Sequence, residues 1–239
     1  MAFKHGTPNS IVTDGLVFCV DAANKVSWTG PNSATVNNLV GTNTGSIVND
    51  TSGSYGDNNS FAFDGVSDYI DCGSNNIVTG AFTVSVWVKR SLIGGAGTQM
   101  FFGKTGADGV RTFACYLTKS SGILQLFVSN TGSLINSKRI LTTDVITDEN
   151  WHHLVFINGG DSVLLKIYID NFEAALSSSG RTGLSSLFNS SALNIIGDSN
   201  SVGSNDYSGN ISNIQVYNRA LSATEVTQNY NALKNRFRT

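Results

Sequence analysis

The stretch Phe82-Thr-Val-Ser-Val-Trp-Val-Lys-Arg90 alternates apolar and more polar side chains with a period of two. Successive side chains of a β-strand point to opposite faces of a sheet, so this period indicates a strand. One face of that strand would carry four apolar side chains, namely Phe82, Val84, Val86 and Val88. The other face would carry Thr83, Ser85 and Trp87. The pattern predicts a sheet with one face against an apolar core.

Short apolar or alternating segments recur on both sides of this strand, separated by Gly, Asn, Asp and Ser. They cover residues 16–20, 61–64, 68–72, 99–104, 111–118, 123–129, 151–158, 162–170, 193–197 and 210–218. Asp108-Gly109 and Gly159-Gly160-Asp161 predict hairpins between neighbouring segments. Residues 24–60 predict one or two short strands within long loops. About twelve strands without alternating helices predict two antiparallel sheets packed face to face.

One helix is predicted near the end of the chain. Ser222 and Glu225 have the spacing of a capping box, in which each side chain bonds the other residue's backbone N–H. Val226, Tyr230 and Leu233 then follow at helical spacing on one face. We expect this helix to seal one edge of the sandwich.

Composition agrees with an all-β fold. Charged residues make up 13% of the 239 residues, against about 25% in an average domain, and the chain has 25 glycines. Few Lys and Glu disfavour exposed helices, and many Gly and Asn favour turns. The sequence predicts a flexible arm at residues 1–10 and one domain over residues 11–239.

Charge and hydropathy exclude some partners. The formal net charge is −2 with no basic stripe, so phosphate neutralisation predicts no nucleic-acid partner. No apolar stretch reaches transmembrane length and no signal peptide is visible, so no membrane partner is expected either. The three cysteines, Cys19, Cys72 and Cys115, are odd in number and widely spaced, which predicts free buried thiols.

Five segments together resemble the laminin G-like and pentraxin-like branch of the concanavalin A-like jelly rolls. They are the segment 82–88, Phe61-Ala-Phe-Asp-Gly-Val-Ser-Asp-Tyr-Ile70, Trp151-His-His-Leu-Val-Phe156, Leu165-Lys-Ile-Tyr-Ile-Asp170 and residues 207–222, which end in Arg-Ala-Leu-Ser. Their order and spacing match over residues 15–235. The opening Gly15-Leu-Val-Phe-Cys-Val-Asp-Ala-Ala-Asn24 is similar to the start of such domains in tailed-phage virion proteins.

This resemblance implies a non-enzymatic adhesion module on a phage fibre or capsid, made in the host cytoplasm, that recognises glycans. A second interpretation is a capsid decoration protein that acts through homo-oligomer contacts, for example as a trimer. A third is a glycosidase or lyase on the same fold. A fold alone does not select among them.

The resemblance also implies a calcium site in loops at one end of the sandwich. Calcium prefers six to eight oxygen ligands from carboxylates, amides and carbonyls. The residues that fall in the corresponding loops are Asp108, Asp198, Asn200 and Asp206, although the acidic glutamates of the family are missing. A second ion near Asp64 or Asp68 is the weaker alternative. Turn formation alone would also account for these aspartates.

Aromatic residues in the loop-rich segments are candidates for stacking against a sugar ring. These are Trp28, Tyr55 and Tyr207. An alternative role for Trp28 is to pin a long loop to the sandwich.

The sequence lacks the residues that catalysis on this fold would require. Glycosidases of this fold place acidic residues on one strand as Glu-x-Asp-x-Glu, and retaining hydrolysis needs two carboxylates about 5–5.5 Å apart. The three glutamates here, Glu149, Glu173 and Glu225, are scattered. No Gly-x-Ser-x-Gly elbow occurs, and the adjacent His152 and His153 would point to opposite faces of a strand. We therefore expect no enzyme, although a Ser-His-Asp triad assembled from distant residues stays open.

Overall fold

The fold is a two-sheet antiparallel β-sandwich with one C-terminal helix, as predicted. The computed structural model describes residues 10–49, 55–56, 59–91, 95–135, 137–177, 181–198 and 205–237. Most of the predicted arm, residues 1–9, lies outside this part of the chain. Among the described residues, no helix is both long enough and apolar enough to span a membrane.

The strands in chain order are β1 (Leu16–Asp21), β2 (Thr35–Asn37), β3 (Thr44–Val48), β4 (Tyr55–Gly56), β5 (Ser60–Asp64), β6 (Tyr69–Asp71), β7 (Phe82–Arg90), β8 (Thr98–Lys104), β9 (Phe113–Thr118), β10 (Ile123–Val128), β11 (Lys138–Val145), β12 (Trp151–Asn158), β13 (Lys166–Ile169), β14 (Phe172–Glu173), β15 (Asn194–Ile196) and β16 (Ser208–Tyr217). The helix α1 spans Ala223–Phe237.

Each sheet contains eight strands among the described residues. Sheet I has the order β14-β13-β12-β7-β16-β5-β4, with β1 also paired to β16. Sheet II has the order β11-β10-β9-β8-β15-β6-β3-β2. The long strand β16 holds sheet I together, because it pairs with β7 along one side and with β5 and β1 in succession along the other.

The main core lies between the inner faces of the two sheets. The alternation in β7 is confirmed, because Phe82, Val84, Val86 and Val88 all belong to this core. Sheet II supplies the opposite inner face, which includes Phe102, Phe113, Cys115, Leu117, Leu124, Leu126 and Val128. Both predicted hairpins are present as antiparallel pairs, β8 with β9 and β12 with β13.

Strand β11 is the main element that sequence reasoning missed. Its residues read Lys-Arg-Ile-Leu-Thr-Thr-Asp-Val, and the alternation fails after Thr142 because three exposed residues follow. Among the named strands it pairs with β10, at the end of sheet II, and a short bridge joins Thr142 to Leu176 on its other side. Solvent near the end of a sheet makes polar side chains tolerable.

The predicted capping box of α1 is confirmed. The Ser222 N–H donates to Oε2 of Glu225 at 2.9 Å, and the Glu225 N–H donates to Oγ of Ser222 at 3.3 Å. Arg219 pairs with Glu225 at 2.6 Å and is the largest cause that lowers the pKa of that carboxyl, to about 2. The sequence signal thus fixes where the helix begins.

The prediction that α1 seals an edge is wrong, because the helix covers the outer face of sheet I. The ring of Phe237 stacks on that of Trp87 with centroids 4.4 Å apart, and Tyr230 stacks on the same indole at 5.7 Å. Trp87 is 3% exposed although it points away from the main core. A second cluster, which includes Val12, Val155, Tyr217, Leu221 and Val226, extends this cover. A broad apolar outer face needs a face-on partner rather than an edge seal.

The three cysteines are free and buried, as predicted. Burial is the largest cause that raises the pKa of the Cys19 thiol, to about 12, with the charge of Asp21 adding to it. Burial also raises the thiol pKa of Cys72 and Cys115. The thiols therefore stay neutral and pack as small apolar groups.

Candidate functional site

The outer face of sheet II holds a pocket with a volume of about 390 Å³. Its base is formed by outward-facing residues of the adjacent strands β8, β9, β10 and β11. Its rim comes from the β8–β9 loop, the β10–β11 loop and residues flanking β8 and β16. The full lining is Gly97, Thr98, Met100, Thr105, Gly106, Arg111, Ala114, Tyr116, Thr118, Gln125, Phe127, Leu134, Arg139 and Asn205.

The apolar floor of the pocket follows from strand parity and register. In β9 the residues Phe113, Cys115 and Leu117 face the core, so the residues between them face outward. Ala114 pairs with Phe127 of β10, and Phe127 pairs in turn with Arg139 of β11. Met100, Ala114 and Phe127 pack together with Ile195 and are each at most 2% exposed. They form a closed base on which a ligand can rest.

The same register places polar groups beside that floor. Tyr116 pairs with Met100 on one side and with Gln125 on the other, so these three form a row across the sheet. Gln125 donates from Nε2 to the hydroxyl of Thr118 at 2.7 Å. The carbonyl oxygen of Gln125 remains available as an acceptor, and the tyrosine hydroxyl can donate or accept.

Arg111 is held at the rim by the loop beneath it. Its Nη1 atom lies 2.8 Å from Oδ1 of Asp108. The same Asp108 oxygen accepts the Leu134 N–H at 3.0 Å and so ties the β8–β9 loop to the β10–β11 loop. Asp108 thus acts as a loop tie, and Gly109 beside it adopts φ +92°, which suits glycine.

Tyr116 lies close to two guanidinium groups. Burial raises the pKa of its hydroxyl, while the charge and hydrogen bond of Arg139 and the charge of Arg111 oppose that rise. The phenol is therefore neutral, and its ring is half-buried.

A laminin G family model, described as Concanavalin A-like lectin/glucanases superfamily, matches residues 64–227, which is more than half of the chain. The chain belongs to this superfamily. The matched span runs from the end of β5 into α1 and includes all four strands under the pocket. No curated protein matches the chain in sequence.

Solved structures share the fold at low identity. Trypanosoma rangeli sialidase in complex with sialic acid superposes with a TM-score of 0.66 at 16% identity, over 96% of this chain and 35% of the sialidase. Domain 4 of AbnA, an extracellular arabinanase of Geobacillus stearothermophilus, in complex with arabinotriose, gives 0.61 at 17% identity, over 90% of this chain and 98% of that domain. The chain thus spans about a third of the sialidase and nearly all of the arabinanase domain.

Asp108 and Asp198, two of the four residues predicted to bind calcium, are not brought together. Asn194 pairs with Lys104 and Ile196 with Phe102, so β15 and β8 run antiparallel. Asp108 follows the end of β8, whereas Asp198 follows the end of β15 and lies toward the start of β8. The two aspartates therefore extend from opposite ends of sheet II. Asn200 lies outside the described residues.

Asp198 and Asp206 do lie near each other. Burial is the largest cause that raises the pKa of Asp206, and the charges of Asp198 and Asp64 add to it. Within the described part of the chain, however, no group of three or more His, Cys, Asp or Glu side chains is arranged to hold a metal. At the alternative site, Asp64 accepts the Val66 N–H at 2.8 Å and Asp68 accepts the Asp64 N–H at 3.1 Å, as in a turn. Calcium binding by this laminin G-like domain stays a prediction.

Two of the aromatic residues predicted to contact sugar are buried. Trp28 packs on Phe61 with ring centroids 5.0 Å apart and donates its indole N–H to the Ser33 carbonyl at 3.1 Å. Tyr207 packs against Phe63 and Phe101. Both are 0% exposed, so neither ring has a face on which a sugar could stack. The backbone of Tyr55 pairs with Phe61, and its side chain lies outside the described residues.

The aromatic residues that do line the pocket were missed. Tyr116 carried a usable signal, since Cys115 alternates with Phe113 and Leu117 in a predicted strand and Tyr116 must therefore face outward. No sequence signal pointed to Arg139, because its strand, β11, was not predicted.

A serine–histidine pair occurs, but it is enclosed. Oγ of Ser85 lies 2.8 Å from Nε2 of His153, on the outer face of sheet I. Both residues are at most 2% exposed beneath α1, and Nδ1 of His153 has no hydrogen-bond partner. No carboxylate orients the imidazole through that atom, as a catalytic triad requires. His152 points the other way, toward Asp170 and Asp148, as the adjacency of the two histidines predicted.

Proposed function

We propose that this chain is a non-enzymatic saccharide-binding module and that the pocket of sheet II is its binding site. The observation that carries the proposal is the combination of an apolar floor with polar groups that converge from four strands. A volume of about 390 Å³ lies within the range of about 300–1,000 Å³ that is usual for small-ligand sites.

The composition of the pocket suits a sugar. A pyranose ring has apolar C–H faces and a polar rim of hydroxyls. The half-buried ring of Tyr116 offers an amphipathic surface for such a face, and the closely packed side chains of Met100, Ala114 and Phe127 lie beneath the pocket. Thr98, Thr118, Gln125 and Asn205 supply donors and acceptors for hydroxyls. The rigid strands beneath keep these groups in place before the ligand arrives, which reduces the ordering cost of binding.

A binding role is favoured over hydrolysis because the pocket contains no acid. None of the residues that line it, within the described chain, is an aspartate or glutamate. Glycoside hydrolysis ordinarily requires two carboxylates that flank the scissile bond. The carboxylate of Asp108, in the loop at the rim, is engaged with Arg111 and a backbone N–H.

The comparisons support saccharide binding at the level of the superfamily and the fold. The superfamily is described by lectins and glucanases, and the arabinanase domain of the same fold was solved with arabinotriose. The finer proposal, a place on a phage particle, is supported only by the resemblance of residues 15–24. Detection of the chain in purified virions by mass spectrometry tests it. Light scattering of the purified chain tests the alternative of a decoration oligomer.

The pocket is tested by calorimetric titration with a panel of soluble oligosaccharides. The intact chain should bind at least one of them, and Tyr116→Ala should weaken that binding by at least about tenfold because the ring is lost. Tyr116→Phe keeps the ring and should lose less. Phe172→Ala is the matched control, since Phe172 is an exposed aromatic, 76% accessible, on the edge hairpin of sheet I. Equal losses for the alanine variants at positions 116 and 172 would contradict the proposal.

A further inference from the structure

The charges of the pocket go beyond what a neutral sugar needs. Its lining contains two cationic side chains, Arg111 and Arg139, and no anionic one among the described residues. Guanidinium groups form strong charge-assisted hydrogen bonds with anions. A neutral saccharide could be held by the hydroxyls and amides alone.

The two arginines differ in how far their charge is already neutralised. Arg111 is paired with Asp108 at 2.8 Å. Arg139 is exposed, and within the described chain no carboxylate lies within ion-pair distance of it. It lines the pocket together with Tyr116, whose hydroxyl is neutral. The positive charge of Arg139 is therefore available to a ligand.

The position of Arg139 directs that charge into the pocket. Its backbone pairs with Phe127, so it stands beside the apolar floor on strand β11. Arg139 and Arg111 both line the pocket that contains Tyr116, and the charges of both act on its hydroxyl. An anionic group bound in that pocket would meet two guanidinium groups and the phenol.

We propose that the pocket selects an acidic saccharide, with Arg139 as the residue that binds its anionic group. This inference rests on the proposed function of the pocket. The planar guanidinium can donate two parallel hydrogen bonds to a carboxylate or a sulfate, which gives direction as well as charge. The sugar ring would then lie against the ring of Tyr116.

The experiment uses pairs of saccharides that differ only in charge. One pair is trigalacturonate and its fully methyl-esterified form, a second is a sialylated trisaccharide and lactose, and a third is a sulfated disaccharide and its unsulfated form. The intact chain should bind the acidic member of at least one pair at least about tenfold more tightly than the neutral member. The preference should decrease as salt rises, because screening weakens exposed charge interactions. The pair that shows this preference tells whether the pocket recognises a carboxylate or a sulfate.

Variants at position 139 assign the preference to this residue. Arg139→Gln should reduce the preference to less than about twofold, and Arg139→Lys should retain part of it because charge stays but the fork is lost. Lys25→Gln is the charge-matched control, since Lys25 is an exposed cation outside the pocket lining, and it should behave like the intact chain. Circular dichroism checks that each variant is folded. We expect both variants at position 139 to fold, because Arg139 is exposed.

Each of the remaining outcomes would overturn a different part of the proposal. Equal binding of acidic and neutral members, with dependence on Tyr116, overturns the selectivity and leaves the saccharide pocket intact. A preference that survives Arg139→Gln overturns the role of this residue. The absence of binding by every member at millimolar concentration overturns both the inference and the proposed function.

Discussion

The two outer faces of the sandwich differ in whether a helix covers them. The outer face of sheet I is closed by α1, which buries Trp87, His153 and Tyr217. No helix in the described part of the chain covers the outer face of sheet II, where Tyr116 and Arg139 stay accessible. A sandwich needs only its inner faces to fold, so either outer face is available for another use. Here one serves stability, and the other is the surface that can meet a ligand.

Trp87→Ala should have the largest effect, because it removes the ring on which α1 rests. Trp87 stacks with Phe237, Tyr230 and His153. Truncation of a buried aromatic costs about 3–5 kcal/mol. Urea unfolding of the variant and the intact chain measures this loss. A loss below about 1 kcal/mol would show that α1 does not depend on this stack.

Acidification should also weaken the closed face. Burial, opposed in part by the charge of Asp170, lowers the pKa of His153 to about 4, from an ordinary value of 6.5. The folded state holds the imidazole neutral, so this contribution is fully present above pH 6.5 and is lost as pH falls toward 4. The shift corresponds to about 3 kcal/mol at most.

His153→Gln isolates this contribution when unfolding is measured from pH 7.5 to 4. The difference in free energy of unfolding between the intact chain and the variant should shrink as pH falls. The neighbouring His152 remains in both proteins and acts in the opposite sense. Burial alone would lower its pKa, but hydrogen bonds with Asp170 and Asp148 raise it, so its stabilisation is present at low pH and lost as pH rises. A pH-independent difference between the two proteins would contradict the assignment to His153.

The smallest effect on stability is expected on the open face. Tyr116→Ala removes a half-buried ring that points toward solvent. We expect a cost of about 1 kcal/mol in urea unfolding, against a tenfold or greater loss of saccharide binding. A cost as large as that of Trp87→Ala would mean that the ring of Tyr116 is structural, and the contrast between the faces would fail.

The fold could be predicted from sequence because its signals are local. The period of two in β7 and the capping box of Ser222 and Glu225 each report on adjacent residues, and the structure confirms both. The position of α1 was predicted wrongly because Trp87 gives no local sign of what covers it. Its burial depends on Phe237, which lies 150 residues further along the chain.

The candidate site could be predicted only in part because it is assembled across strands. Loop positions alone suggested Trp28 and Tyr207 as sugar contacts, yet both pin loops to the core. Asp108 and Asp198 looked equivalent along the chain, but the antiparallel register of β8 and β15 separates them. The pocket itself depends on the register of four strands. One of them, β11, could not be recognised as a strand because its sequence is largely polar.

The most direct measurement is the mapping of backbone amide shifts by NMR while an oligosaccharide that binds is titrated into the labelled chain. The account predicts that the perturbed amides cluster at Met100, Tyr116, Gln125, Phe127 and Arg139, and that the amides around Trp87 and α1 stay unchanged. Perturbations confined to loops outside the pocket, or centred on sheet I, would contradict the claim that the open face of sheet II is the binding face.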